Sequence, residues 1–435
     1  MKSLSFARIV KPALLIYLLI IILLSAIQVR GHTPAPPQQE PIVLVGGTIH
    51  PVNSEPIPNG MVLFENGVIT AVGTDLEIPE NARVVNISGK HVYPGLIHGR
   101  NTMGLSEIGR IAETTDMREK GNINPNVRAR VAFHPASEHI PVAAVNGITT
   151  VVSTPMGGII SGKADAMITD GWTWEQMTLE PSIGMVIEWP SMREKEARDK
   201  ALNELYEAFD KAKRYKIARE AMHNNQAPHH PMDVRWEAMI PVLKREMPVF
   251  LVANELRQIQ AALDWAEKEN LKMVLVGARD GAYLAEQIAS RGIPVMVAPV
   301  IGGPSLQWEG YDQAYSLPAA LHKAGVRFCI GGDAGAASAY RLPHHAASAV
   351  AFGLPEDVAL KAITIYAAEI LGLDHRVGSI EPGKDATFII TDGTPLELWT
   401  DISQVYIQGR EIDMTDKHRR LFERYREKHR QAQME

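Results

Sequence analysis

The feature that most constrains the fold is a regular alternation of short apolar runs with longer helical patterns through the middle of the chain. The apolar runs are rich in Val, Ile and Leu, which is typical of parallel strands buried on both faces. They lie at residues 92–98, 148–154, 166–169, 183–188, 249–254, 273–277, 295–300 and 328–333. Helical patterns occupy residues 194–224, 234–246, 255–269, 282–291, 317–324 and 355–371. Because such an alternation forms βα units, we predict an α/β protein with a (β/α)8 TIM-like barrel.

Two β-rich segments, residues 42–90 and 384–413, flank the barrel region at residues 91–383. Each segment alternates short strand patterns with turns, and Asn66-Gly67 is typical of a tight hairpin because this pair accepts positive φ values. We predict that the segments form one small composite β-sandwich closed by both ends of the barrel. Two independent hairpins are the alternative interpretation.

The amino terminus has the layout of an export signal. Basic residues precede an uncharged apolar run at residues 13–27, and a Pro- and Gln-rich linker follows at residues 32–41. We therefore expect residues 1–31 to direct export to the periplasm or the extracellular space, as a cleaved signal peptide or as an uncleaved membrane anchor. The highly charged tail, residues 414–435, is predicted to be a solvated helix packed against the body.

Composition limits the classes of function. A formal net charge of -6 provides no basic face for nucleic acid, because neutralising phosphates requires clustered Lys and Arg. Cys329 is the only cysteine, so no intrachain disulfide can form, and its place within an apolar run gives no support to thiol chemistry. We expect a small-molecule substrate or ligand, contact with a membrane only through the amino terminus, and a homo- or hetero-oligomer as an open possibility.

Two motifs carry a family resemblance. The first apolar run ends in P-G-L-I-H-G-R-N-T at residues 94–102, and G-S-I-E-P-G-K-D-A stands at residues 378–386. Together they resemble the amidohydrolase superfamily, specifically its imidazolonepropionase-like members. The resemblance covers nearly all of residues 42–412. It implies a hydrolase that acts on carbon–nitrogen bonds other than peptide bonds, in a cyclic or small amide.

The family's metal-binding histidines are replaced in this chain. Members usually read P-G-L-I-D-x-H-x-H at the first motif, and the two histidines bind a catalytic divalent metal. His98 stands here in place of the Asp, and Arg100 and Thr102 stand in place of the histidines. A guanidinium has no lone pair to donate, and a threonine hydroxyl is a poor zinc ligand. The histidines expected near Asn254 and Gly277 are missing as well, so no metal is expected in the usual positions.

Asp333, at the end of the last apolar run, matches the family's acid that binds metal and carries the proton between water and leaving group. We predict Asp333 and Arg100 as catalytic residues, with the guanidinium in the vacated position, paired with Asp333 and aimed at the developing oxyanion. The alternative is a rebuilt divalent metal site, with Zn held by His98, Asp333 and His345. No other cofactor is expected.

Polar side chains around the ends of the strands are candidates for substrate binding, because such groups orient ligands in barrel pockets. They are His98, Asn101, Thr102, Glu107, Asn126, Arg128 and His345. A competing interpretation keeps the fold and pocket but not the turnover, since fold does not fix function. In that case the chain is a catalytically inactive amidohydrolase-fold binding or partner protein.

Overall fold

The computed structural model describes residues 32–226, 228, 231–297, 299–332 and 334–433. The predicted export segment and the predicted catalytic Asp333 lie outside the described residues.

The first sheet draws its strands from both ends of the chain. They are β1 (Ile42–Ile49), β2 (Ile57–Glu65), β3 (Val68–Gly73), β4 (Arg83–Asn86), β5 (His91–Pro94), β14 (Phe388–Thr391), β15 (Ile402–Ile407) and β16 (Arg410–Glu411). Their order is β16-β15-β14-β5-β1-β2-β3, and β4 pairs with β1. Rings from the two segments meet in the core: Phe64 packs edge-on against Phe388 and Tyr406, with centroids 5.2 and 5.3 Å away. We call this the terminal sheet.

The second sheet forms the barrel. Its strands are β6 (Leu96–Asn101), β7 (Ile148–Ser153), β8 (Ile160–Ile168), β9 (Thr178–Glu188), β10 (Val249–Ala253), β11 (Met273–Gly277), β12 (Val295–Val297) and β13 (Phe328–Ile330). They pair in sequential order from β6 to β13. Thr102, just after β6, donates its backbone N–H to the carbonyl of Ala334, just after β13, at 2.8 Å, and so brings the two ends of the sheet together. The sheet is nearly closed, and the predicted TIM-like barrel is confirmed in outline.

Helices surround this sheet and end the chain. They are α1 (His139–Val145), α2 (Trp174–Met177), α3 (Lys195–His223), α4 (Val234–Leu243), α5 (Leu256–Lys268), α6 (Ala285–Ser290), α7 (Gln313–Lys323), α8 (Leu342–Ala351), α9 (Glu356–Ala362), α10 (Ile365–Leu371) and α11 (Lys417–Ala432). α11 falls in the tail predicted to be helical, and none of its residues is buried. In the part of the chain that the structure describes, no helix is both long and apolar enough to cross a membrane.

The first apolar run, residues 92–98, contributes strands to both sheets, so its prediction as a single barrel strand is wrong. β5 belongs to the terminal sheet, where it pairs with β14 and β1, and the barrel begins only at Leu96. The switch occurs at Gly95, where a Cβ atom would lie 2.1 Å from Thr149 Oγ1. Only glycine allows the backbone to come this close to a neighbouring side chain.

The prediction of a parallel strand at residues 166–169 is also wrong, because β8 runs antiparallel to both β7 and β9. The strand predicted at residues 183–188 lies within β9, which pairs in parallel with β10 as expected. A parallel crossover needs a dozen or more residues, whereas β8 and β9 are joined by a short connection that holds only the one-turn α2. This connection is tied to the linker before β1 and to the carboxyl-terminal β-rich segment. Asp170 accepts a hydrogen bond from the Ala35 N–H at 3.2 Å and pairs with Arg410 at 2.9 Å.

His50, which directly follows β1 in the terminal sheet, is held in its neutral form. The His50 ring stacks on Tyr93 with centroids 4.2 Å apart, and its Nε2 lies 2.9 Å from His91 Nδ1. Burial and, to a lesser extent, the nearby His91 lower the pKa of His50 from 6.5 to about 4. The unfolded chain therefore takes up a proton at a higher pH than the folded protein does.

We predict that His50 makes the fold lose stability as the pH falls from about 6.5 to about 4, because only the unfolded state is protonated in this window. Since the ring is half-buried, the expected loss is about 1–2 kcal/mol. Urea unfolding of the wild type and of His50→Gln across this range measures it, and the variant should lose less stability. Parallel losses in the two proteins would contradict the assignment.

Candidate active site

An ion pair crosses the mouth of the barrel, at the carboxyl ends of two strands. Arg100 lies at the end of β6 and Glu188 at the end of β9, and Arg100 Nη2 is 2.8 Å from Glu188 Oε1. The side chains are 13% and 28% exposed, so the pair is partly desolvated. Charge-assisted bonds of this kind are stronger than neutral ones, and they fix the direction of a guanidinium.

Arg100 also retains donor capacity. Its Nε atom is buried and has no hydrogen-bond partner among the described residues. A buried donor left without a partner costs about 1–3 kcal/mol, so a ligand oxygen that accepted from this group would bind favourably. The arrangement is that of a fixed cation ready to stabilise negative charge.

The partner that the structure gives to Arg100 is therefore Glu188, which the sequence analysis did not single out. A signal for it exists, because Glu188 ends one of the predicted strands and active sites of barrels gather at such ends. The predicted pairing of Arg100 with Asp333 involves a residue outside the described ones, and it stays a prediction.

Three candidate residues lie where the first and last barrel strands meet. His98 is fully buried, and its Nε2 is 3.4 Å from Asn101 Nδ2. Asn101 Nδ2 also donates to the Gly335 carbonyl at 3.2 Å. Thr102 makes the backbone bond that joins the two ends of the sheet. Their described contacts join the first barrel strand to the segment that follows the last one.

Two further candidates contact other parts of the chain. His345, on α8, is fully buried, and its Nδ1 accepts a hydrogen bond from the Ile301 N–H at 3.0 Å. The Glu107 carboxylate accepts from the Ser137 hydroxyl at 2.5 Å, and the Glu107 carbonyl lies 2.9 Å from His139 Nε2. The carboxylate of Glu107 thus anchors the segment that leads into α1.

Asn126 and Arg128 line a cavity of about 310 Å³. Leu105 and Pro155, which follow β6 and β7, also line it, and they place it on the mouth side of the barrel. Asp116, Arg118 and Glu119 add charges of both signs. Such a cavity suits a small polar ligand.

A buried carboxylate holds one wall of this cavity. Asp165, on β8, is fully buried and accepts from the backbone N–H groups of Arg130 at 2.9 Å and Ser182 at 2.7 Å, and it also pairs with the Arg130 guanidinium. Beside it, burial and then the charges of Arg128 and Arg130 lower the pKa of Lys163. The wall is therefore locally positive and firmly positioned.

The residues at the family's ligand positions do not fit a divalent ion in the usual arrangement. Arg100 has no lone pair and is committed to Glu188. At Gly277, where φ is +91°, a Cβ atom would lie 2.3 Å from Asn254 Oδ1, so a histidine has no room there. Within the described ranges no three His, Cys, Asp or Glu side chains are grouped to hold a metal. The rebuilt site of His98, Asp333 and His345 includes an undescribed residue and stays a prediction.

Polar groups gather at one end of this barrel, where the active sites of barrel enzymes lie, and the sequence comparison identifies the family. The Amidohydrolase family model matches residues 146–412, which is more than half of the chain, and the chain belongs to this family.

Individual relatives are more distant. Amidohydrolase tasK from Hapsidospora irregularis is 24% identical over an alignment of 391 residues that covers 80% of this chain. The match covers 39% of that relative, so the chain spans about two fifths of its length. An amidohydrolase from Thermotoga maritima MSB8 has a TM-score of 0.79 and 25% identity, with 86% of this chain and 99% of that chain covered. Molinate hydrolase has a TM-score of 0.53 and 18% identity over 88% and 96% of the two chains, and shows the fold alone.

We predict that Asp165→Asn destabilises the protein by about 2–4 kcal/mol, because the amide cannot balance Arg130 and turns a donor towards N–H groups. Asp210→Asn is the matched control, since that carboxylate is 66% exposed in a 3.9 Å pair on α3 and should change stability by less than about 0.5 kcal/mol. Denaturant unfolding measures both variants. Equal effects would show that Asp165 does not hold the wall.

Proposed function

We propose that this protein hydrolyses carbon–nitrogen bonds other than peptide bonds, in a small or cyclic amide. The observation that carries the proposal is the guanidinium of Arg100, fixed by Glu188 at the barrel mouth with a buried donor to spare. Membership of the amidohydrolase family supports the same reaction class.

In this reaction Arg100 supplies electrostatic stabilisation. Water adds to the carbonyl carbon, and the carbonyl oxygen becomes an oxyanion that the guanidinium binds. Asp333, assigned by the family motif, takes the proton from the attacking water and delivers it to the nitrogen as the carbon–nitrogen bond breaks. The products are a carboxylic acid and an amine. Glu188 is a positioning residue, because it orients the guanidinium without taking part in the bond changes.

The cavity at Asn126 and Arg128 is proposed to receive the polar part of the substrate. Its volume of about 310 Å³ is at the lower end of the range for ligand pockets, which favours small amides. We also propose export, directed by residues 1–31. The intact mass of the protein from producing cells would tell a cleaved signal from a retained anchor.

We predict that Arg100→Met lowers kcat about 100- to 1000-fold with a smaller change in KM, because an oxyanion donor acts mainly in the transition state. Amine release from a panel of lactams, cyclic imides, ureides and N-acyl amines measures turnover. Glu188→Gln should show a milder loss of kcat. Arg235→Met, which removes a 52% exposed arginine, is the control and should leave turnover unchanged. Full activity of Arg100→Met would refute the proposed role.

Metal removal distinguishes a metal-free site built on Arg100 from a rebuilt metal site. Because the donors at the family positions do not fit a divalent ion, we expect turnover to survive dialysis against EDTA. Loss of turnover on chelation, with recovery on adding zinc, would instead support the rebuilt site of His98, Asp333 and His345. Elemental analysis of the untreated protein gives an independent measurement.

A binding or partner protein without turnover is the second candidate function. The observation in its favour is the same replacement of metal ligands, which removes the family's usual means of activating water. Absence of amine release across the whole panel, together with saturable binding of a panel member that Arg128→Met weakens, would establish it over the hydrolase.

A further inference from the structure

A larger cavity lies at the opposite end of the barrel from Arg100. It has a volume of about 690 Å³, and its lining includes Lys272, Pro294 and Arg327. Each of these residues comes directly before a strand, at the amino ends of β11, β12 and β13. Active sites of barrels gather at the other face, so this basal cavity is separate from the proposed catalytic site.

Four cationic side chains line the basal cavity, one from each of four consecutive connections into β10, β11, β12 and β13. They are Arg245, Lys272, Arg291 and Arg327. Nothing in local chain geometry requires a cation at the end of each connection. The convergence of four places a positive field over one opening.

Two of these cations have carboxylate partners. Arg291 lies 3.4 Å from Glu267 and 2.8 Å from Asp264, and Arg327 lies 3.6 Å from Glu369. These pairs hold the two guanidiniums at the rim, where the carboxylates offset part of their charge.

The other two cations are not balanced by an acid. Arg245 donates through Nη1 to the backbone carbonyl of Asn270 at 3.2 Å and to the Asn270 side chain, both neutral acceptors. The Lys272 side chain is exposed and makes no hydrogen bond or ion pair with any residue that the structure describes. Glu267 and Glu369 also line the opening, so with Asp264 three carboxylates stand against four cations, and the net positive charge that remains is carried by Arg245 and Lys272.

The inner wall of the cavity is apolar. Ala266, Leu271, Met273 and Val274 line it, and each is buried. A ligand that matched both parts would place an anionic group among the cations and an apolar body against this wall.

We propose that the basal cavity is a binding site for an organic anion, a phosphate or carboxylate attached to an apolar body. Arg245 and Lys272 hold the anionic group, and the wall formed by Leu271, Met273 and Val274 receives the body. The anion has two possible sources, a free small molecule or a lipid head group, and both present the same chemistry to the cavity.

Isothermal titration of the full chain with phenyl phosphate tests the proposal. We expect saturable binding that weakens as salt is raised, with inorganic phosphate at least about tenfold weaker because it has no apolar body. Lys272→Met alone should weaken binding about tenfold, and the Arg245→Met, Lys272→Met double variant should abolish it. The Lys272 side chain makes no described hydrogen bond or ion pair, so its single variant retains the fold and keeps the test decisive.

The matched control is Lys200→Met with Arg214→Met, which removes the same two kinds of charge from exposed positions on α3. It should bind phenyl phosphate like the wild type. Absence of saturable binding, equal weakening by the control pair, or inorganic phosphate binding as tightly as phenyl phosphate would overturn the proposal. Vesicles containing phosphatidylglycerol, compared with phosphatidylcholine alone, distinguish the sources, because displacement of phenyl phosphate by the former identifies a lipid head group.

Discussion

The close approach of Thr149 to the backbone at Gly95 is the contact on which the architecture depends. It lets one continuous apolar run leave the terminal sheet as β5 and enter the barrel as β6 after a single residue. Any side chain at this point would force the two sheets apart. Because β6 begins at a fixed place, its carboxyl end, and with it Arg100, is delivered to the barrel mouth in a fixed register.

Two arginine–carboxylate pairs then organise the polar face. Glu188 fixes Arg100 across the mouth, and Asp165 fixes Arg130 in the wall of the neighbouring cavity. The pairs differ in burial, since Asp165 is fully buried and satisfied by backbone N–H groups, whereas Glu188 keeps some contact with solvent. The buried Asp165–Arg130 pair makes the wall rigid. The Glu188–Arg100 pair leaves its cation at the barrel mouth, partly exposed to solvent.

Much of the fold could be predicted because buried strands appear in the sequence as apolar runs, and each barrel strand overlaps one of the runs identified there, although β8 begins six residues before its run. What could not be predicted was the direction of β8. Local residue patterns carry no sign of parallel or antiparallel pairing, and the short connection to β9 was the available clue. The division of the first apolar run into β5 and β6 at Gly95 could not be predicted either, because the strands of both sheets are equally apolar.

The site was harder to predict than the fold. The replacement of histidines pointed to Arg100, but the motifs that carry the resemblance lie at residues 94–102 and 378–386 and do not include the end of β9, so they gave no reason to single out Glu188. Contacts of Glu107 with Ser137, and of His345 with Ile301, depend on how remote segments meet. Side-chain chemistry indicates what a residue can do, and only tertiary packing decides which partner it reaches.

The ion pair between Asp170 and Arg410 has a consequence for how the chain is made. The connection between β8 and β9 emerges early in synthesis, yet its buried carboxylate meets its cation only when almost the whole polypeptide is complete. Such distant pairing is entropically slow to form. Until then the connection between β8 and β9 lacks this tie to the carboxyl-terminal segment, which leaves this flank of a nascent chain open to misassembly or capture by chaperones.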